Sequence, residues 1–509
     1  MQKTRLLLVP VIATALVLPS GGTATAAKRF ILFGSAWGHG VGLSQYGAYG
    51  LALKGWNDKE ILIHFYSHTK VDRAGSVPQT IRVGLVQGRR QIHVTASGGP
   101  VTLRVGAPNG DLVGDVPTGY TWTVLVQNGR YQVLDAKGRM VGGHLWGGPS
   151  QNLYARYGTG GATVFIPEAG HHYRRGWIEF NLSGIRLLRL VAVVSPQDYL
   201  YGLAEVPSSW PAAALRAQAI AARTYAFEKI RRLGQHREGC NCGLYASTQD
   251  QAYAGWDKEI APDAGGWISA VNGTARQVVL YRGTVIQAFY HSSSGGYTEN
   301  NENVFGGTPL PYLRGVCDPG DFTAANPNRL WTVTFTPGEI RDRLFKATRK
   351  DIGDVRKFSA ISRGVSGRII TITVEGTNSS LTLTGPDLRR ALGLRDSKVW
   401  INTNRNVTWP LRDKYDALGC RPGLATTPKE QVPGGLRQRF ANGALFRNAS
   451  GGGTHWLYGR VYEFFTDHGA LRRFGFPSTD VLRRSGGTVF ASFRSSKIVC
   501  RPHHSCREV

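Results

Sequence analysis

Residues 199–229, YLYGLAEVPSSWPAAALRAQAIAARTYAFEK, commit the chain to one long helix with a lone carboxylate just ahead of it. After Pro211 comes a run of Ala, Leu, Gln and Arg with high helix propensity and no Gly or Pro until Gly234. Pro211 suits the first helical position, which makes Ser209 or Trp210 the expected N-cap. Just ahead of the helix, in a Gly/Pro-bounded turn, stands one carboxylate, Glu205, where backbone N–H groups make the local field positive. Along the helix, Arg216, Ile220, Arg223 and Phe227 share a face. An arginine on a face with Ile and Phe calls for an anionic partner, either a protein carboxylate in an ion pair or a ligand.

The chain has 509 residues, 65 of them glycine, and an ordinary hydrophobic fraction of 41%. That length allows two or three domains with a sizeable core. Frequent short alternating segments between turn residues point to a β-rich α+β fold. Strands are expected at 81–85, 92–94, 101–105, 121–127 and 131–135, the last two joined across Asn128-Gly129. Further strands are expected at 177–182 and 187–194. Three more segments carry hairpin or helix signals: 277–281 with 284–290 across Arg282-Gly283, 369–375 with 380–383, and a short helix started by Pro386. Helices are also expected at 47–54 and 58–67.

The formal charge of +27 suits an anionic polymer, anionic lipid or nucleic acid. The N-terminus chooses among them. Lys3 and Arg5 precede an apolar run ending at Leu18, and Ala24-Thr25-Ala26 follows as a cleavage site. Residues 1–26 therefore read as a secretory signal peptide, and an exported basic protein meets wall polymers rather than nucleic acid. Six cysteines fit an oxidising compartment. Cys500 and Cys506 can close a small loop, and Cys317 and Cys420 can pair across the second half of the main domain. Cys240 and Cys242, with His236 nearby, admit either a disulfide or a zinc site, although the spacing is not the usual one for zinc and a fourth ligand is missing. His64 and His68 have metal-pair spacing without the glutamate of HExxH.

Four segments together resemble the stage II sporulation protein D (SpoIID) family, also called LytB-like or amidase-enhancer proteins. They are the 199–229 stretch, WGHGVGLSQYGAYGLALKG (37–55), AFYHSSSGGYTENNENVFGG (288–307) continuing into PYLRGVCDP (311–319), and LTGPDLRRALGL (383–394). In that family the GHGVGLSQYGA block usually follows LTGPDLRRALGL, whereas here it opens the mature chain. The order reads as a circular permutation, which requires the domain's ends to adjoin. Residues 27–420 are then the SpoIID/LytB-like domain, with 80–190 its β-rich part, and residues 421–435 read as a linker. Residues 436–509 resemble LGFP-type wall-binding repeats, with Phe474-Gly475-Phe476-Pro477 at their centre.

The resemblance implies a lytic transglycosylase that acts on peptidoglycan glycan strands, which with the signal peptide and the wall-repeat likeness reads as a secreted, cell-wall-associated enzyme. It implies catalysis by Glu205 and a substrate role for Arg223, and no cofactor beyond the weak zinc candidate at His236, Cys240 and Cys242. A single carboxyl is chemically sufficient when the sugar's own C6 hydroxyl is the nucleophile, provided burial keeps that carboxyl protonated. His39, Gln45 and Tyr46 are expected to line the sugar groove with His291 and Ser292. The Gly38–Gly42 glycines either admit a ligand or make a tight packing turn. The name amidase enhancer implies the alternative: a non-catalytic wall-binding partner of an N-acetylmuramoyl-L-alanine amidase.

Overall fold

The computed structural model describes residues 28–509, so the signal-peptide reading of residues 1–26 lies outside the described residues. Within them the fold is α+β and β-rich. Residues 81–194 form two facing antiparallel sheets around one apolar core. The larger runs Ile81–Arg89, Leu188–Val194, Trp177–Leu182, Leu153–Arg156, Val101–Val105 and Asp111–Val116, in that spatial order, with a short parallel strand Leu244–Tyr245 on the free side of Ile81–Arg89. The other runs His171–Tyr173, Thr163–Ile166, Gln91–Ser97, Thr121–Gln127 and Arg130–Leu134. Alternation drives this pairing: in Val101–Val105 the odd residues are buried and the even ones half-buried. The Asn128-Gly129 turn has φ of 50° and 69° at its two centre residues, the left-handed pair that matches strand twist.

The long helix Ala212–Leu233 lies against this sandwich and against the helices Gln45–Leu53 and Ala264–Gly273. Pro211 is its N-cap, not its first turn, because its ψ of 137° is extended. The helix Gln45–Leu53 starts two residues earlier than the glycines suggested, since Ser44 caps it by accepting from Gly47 N. Asn57 and Glu60 form a reciprocal capping box on Asp58–Phe65. The second strand of the hairpin at Arg282-Gly283 is only Thr284–Val285, and pairing resumes at Tyr290–His291 with a different partner.

That partner is Leu43–Ser44: the two short strands run parallel, Tyr290 opposite Leu43 and His291 opposite Ser44. The segment before them, Phe30–Gly34, pairs with Val399–Ile401, the strand just after the 383–394 block. The opening Gly-rich block is thus held at both ends by chain that lies hundreds of residues away. Its glycines serve packing: a Cβ at Gly42, whose φ is +74°, would sit 2.1 Å from the Phe289 carbonyl oxygen.

Cys317 joins Cys420, Cys500 joins Cys506, and Cys240 joins Cys242. The last pairing leaves neither sulfur as a thiolate ligand, and His236 instead hydrogen-bonds Asn241 at 2.7 Å. His64 donates to the Cys317 carbonyl at 2.8 Å. Residues 421–435 are not a free linker. Ala425 is buried in one cluster with Val407, Leu411 and Tyr415 on one side and Phe440, Leu445 and Trp456 on the other. The remaining C-terminal chain forms two four-stranded sheets, with the helices Gly459–Asp467 and Ala470–Phe474 between them in sequence and a core that includes Phe446, Phe465, Phe474 and Phe493.

Candidate active site

Glu205 sits in the turn between the helix Pro196–Tyr201 and the long helix, held by a short antiparallel ladder. Ala204 N donates to Ala252 O at 2.9 Å and Ala254 N to Gly202 O at 2.8 Å, with Leu203 opposite Tyr253. The remaining backbone donor of this ladder, Ala252 N, turns to the side chain and donates to Glu205 Oε1 at 2.6 Å. Lys258 Nζ, donating to Val206 O at 2.8 Å, fixes the turn from its far side.

Two opposed effects act on this carboxyl. Burial pushes its pKa above the ordinary glutamate value, while the Ala252 N–H and the side chains of Tyr290 and Gln45 favour the charged form; burial prevails. All three partners are uncharged, the Tyr290 phenol being raised well above 10 by its own burial. Behind them runs a buried relay of hydrogen bonds. Tyr199 Oη donates to Gln251 Oε1 at 2.8 Å, and Gln251 Nε2 donates to Tyr290 Oη at 2.8 Å and to Ala222 O at 3.3 Å. Such a network fixes the tyrosine's position and leaves its hydroxyl proton for the carboxylate.

The Gly-rich block reaches this site through Gln45, whose Nε2 lies 3.4 Å from both Glu205 O and Gln218 Oε1. The next residue, Tyr46, packs with Trp210 at a ring-centroid distance of 5.0 Å, and Tyr49 meets the same indole at 5.2 Å. These three half-buried rings form an aromatic corner where the Glu205 turn enters the helix. Gln45 is thus brought to Glu205, and Tyr46 to Trp210 at the start of the long helix.

His39 and His291 are brought to each other instead. Their rings lie 5.4 Å apart, and His291 Nδ1 donates to Val41 O at 3.2 Å. Burial and the nearby Arg389 and Arg368 push the His39 pKa down to about 3, so the ring is neutral at ordinary pH. Strand alternation explains the division: Tyr290 and His291 are neighbours and face opposite ways. Tyr290 was therefore the residue the sequence reading missed, one position from the histidine it singled out. Ser292 Oγ accepts from Asn328 Nδ2 at 3.4 Å. The next two hydroxyls are committed to buried carboxylates, Ser293 to Asp321 at 3.0 Å and Ser294 to Asp318 at 2.6 Å. That geometry gives none of these three serines a histidine base.

Arg223 stands apart from Glu205. The face of the long helix that meets the site carries Gln218 and Ala222, and Arg223 is turned about 100° away from Ala222. Only 2% exposed, it donates to Gln277 O at 3.0 Å and to Val271 O at 3.4 Å. Val271 is in the last turn of Ala264–Gly273, where a cation complements the helix dipole. Arg223 thus caps a helix end, and the partners that meet its buried charge are carbonyls rather than a carboxylate. Its neighbour on the same face, Arg216, pairs with Asp58 at 3.5 Å.

Two family models match the chain. One, described as Stage II sporulation protein, covers residues 186–281, which include Glu205, Ala252 and the whole long helix; the other, Domain of unknown function (DUF8618), covers residues 324–416. Stage II sporulation protein D of Bacillus amyloliquefaciens is 28% identical over 224 residues, 42% of this chain and 62% of that protein. The protein of the same name from Bacillus subtilis (strain 168) is 29% identical over 44% of this chain and 65% of its own length. The Amidase enhancer of Bacillus subtilis (strain 168) is 31% identical over 145 residues, 28% of this chain and 18% of that protein. The chain spans less than two thirds of the length of each of these relatives. Together these matches support the SpoIID family for the segment that carries Glu205.

Proposed function

We propose that the protein is a peptidoglycan lytic transglycosylase, exported through residues 1–26 and held at the cell wall, serving sporulation or wall remodelling. The observation that carries this reading is the state of Glu205: a half-buried carboxyl, its pKa raised by burial, with only uncharged hydrogen-bond partners. Protonated Glu205 gives its proton to the glycosidic oxygen between MurNAc and GlcNAc as the C1–O bond breaks. The carboxylate left behind is received by the Ala252 N–H and the Tyr290 hydroxyl. It then takes the proton of the MurNAc C6 hydroxyl as that oxygen bonds to C1, closing a 1,6-anhydro ring and restoring the acid. The Tyr46–Tyr49–Trp210 corner offers ring faces for sugar stacking. The charge of +27 suits anionic wall polymers around the glycan.

The pairing of Phe30–Gly34 with Val399–Ile401 supports the permuted reading of the motif order, because it joins the ends that a permutation must join. The likeness to the Amidase enhancer favours a second reading, in which the protein binds wall and stimulates an amidase without cutting glycan itself. Muropeptide analysis separates the two. The mature protein, incubated with intact and with peptide-stripped glycan, is expected to release fragments ending in 1,6-anhydroMurNAc. Absence of such ends on both substrates, with faster peptide release when an amidase is added, would establish the second reading.

A further inference from the structure

The last sheet, Leu482–Arg483, Val489–Ser492, Lys497–Cys500 and Cys506–Glu508, presents an outer face that the Glu205 chemistry leaves unused. Residues paired across a sheet share a face, and the two faces here differ sharply. Ala491 and Ile498, paired and fully buried, point into the core. Leu482, Phe490, Val499 and Arg507 form a row across all four strands on the opposite face. Leu482 is 44% exposed, Arg507 is exposed, and Phe490 and Val499 are half-buried. Arg484 and Lys497 flank the row, 4.8 and 5.2 Å from the Phe490 ring centroid. The outer face thus carries three cations, and no acidic side chain of this sheet meets them. From Val481 to Val509 the sequence has six Lys or Arg and a single acid, Glu508. Glu508 pairs with Ile498 on the inner side, and Arg473 takes it at 2.7 Å. The ring attracts Arg484 and Lys497 only weakly at an exposed site. It also holds them within about 10 Å of each other, where like charges still repel.

We propose that this face docks the protein on a bilayer rich in anionic phospholipid. Leu482, Phe490 and Val499 meet the boundary between headgroups and acyl chains, and Arg484, Lys497 and Arg507 meet the lipid phosphates. An anionic surface laid over the sheet relieves the repulsion between the cations. The apolar row decides between two kinds of polyanion. A hydrated phosphodiester polymer offers the cations the same phosphates but leaves Leu482 and Val499 against polar chain. A bilayer interface accepts both, because the long Arg and Lys side chains lie along the apolar row with their charges at headgroup level. Docking uses no step at Glu205, so it stands apart from the transglycosylase reading.

Co-sedimentation of the mature protein with vesicles tests this, using phosphatidylcholine alone and phosphatidylcholine mixed with phosphatidylglycerol. Wild type is expected to bind the anionic vesicles and to leave the neutral ones in solution. Arg484→Gln, Lys497→Gln and Arg507→Gln combined should weaken that binding about a hundredfold, each cation near the surface contributing a factor of about five. Leu482→Ser, which keeps the charge, should weaken it about tenfold. The same loss of charge at the exposed Arg89 and Arg90 of the sandwich should stay within about twofold, because the attraction fades within a Debye length. Glu205→Gln should bind as wild type does, which separates docking from cleavage. Should the triple variant melt early, Leu482→Ser carries the test by itself. Equal binding to both kinds of vesicle, or full binding by a folded Leu482→Ser protein, would overturn the proposal. Release from the vesicles by soluble teichoic acid at equal phosphate concentration would also overturn it and assign the face to the polymer.

Discussion

At Glu205 the balance between burial and hydrogen bonding decides when the acid holds its proton. Burial prevails, so the protonated form persists above the ordinary glutamate pKa and is lost as pH rises through the raised value. The activity proposed for it should therefore be full on the acid side of that value and fall about tenfold per pH unit above it, read from kcat/KM on soluble glycan. Tyr290→Phe removes a hydroxyl that favours the carboxylate, so this alkaline limb should move to higher pH; a limb that stays in place would detach Tyr290 from the acid. Arg223→Ala should act on stability. Removing a buried charged donor leaves the Val271 and Gln277 carbonyls without it, at a cost of about 2 kcal/mol. A lowered urea midpoint is expected, with the rate per folded molecule retained. Glu205 was legible from its motif and its place before a helix. The 100° between Ala222 and Arg223 does not by itself place the arginine, because a helical face says which residues neighbour one another and not what lies opposite them.

Among the elements, those with local signals were readable and those made by distant pairing were not. The strands Thr121–Gln127 and Trp177–Leu182 have the bounds expected from alternation, and the Asn128-Gly129 turn has the backbone its residues require. The ladder of 202–204 with 252–254 is three residues long and carries no period, yet it holds the catalytic candidate. The expected strand over 284–290 divides for a similar reason: Tyr290–His291 takes Leu43–Ser44 as its partner, far upstream in sequence. The Cys317–Cys420 disulfide ties this region to the chain beyond it across 103 residues. Replacing both cysteines with serine should cost on the order of 4 kcal/mol, from the loop-closure entropy returned to the unfolded chain. Denaturant unfolding measures this, and a change under 1 kcal/mol would mean the packing around Ala425 alone holds the two parts together.

At the scale of the molecule, the C-terminal sheets are not an appendage on a tether. Phe440, Leu445 and Trp456 share a core with Val407, Leu411 and Tyr415, and Asp480 pairs with Lys414. The residues called a linker have the Thr, Pro and Gly content of one, and composition does not reveal that Ala425 is covered on both sides. Truncation before Leu436 should therefore lower the melting temperature of what remains as well as weaken wall attachment, whereas an independent module would leave that temperature unchanged. The opening Gly-rich block and the Glu205 turn are likewise brought together only by the complete fold, through Gln45 and the Tyr46–Trp210 contact. In the proposed reaction one protonated carboxyl, Glu205, does the chemistry. Its most direct test is mass spectrometry of glycan digested by wild type and by Glu205→Gln, with thermal melts run on both. The prediction is 1,6-anhydroMurNAc ends from wild type and none from the variant, at equal melting temperature. Equal anhydro product from a folded Glu205→Gln protein would contradict it.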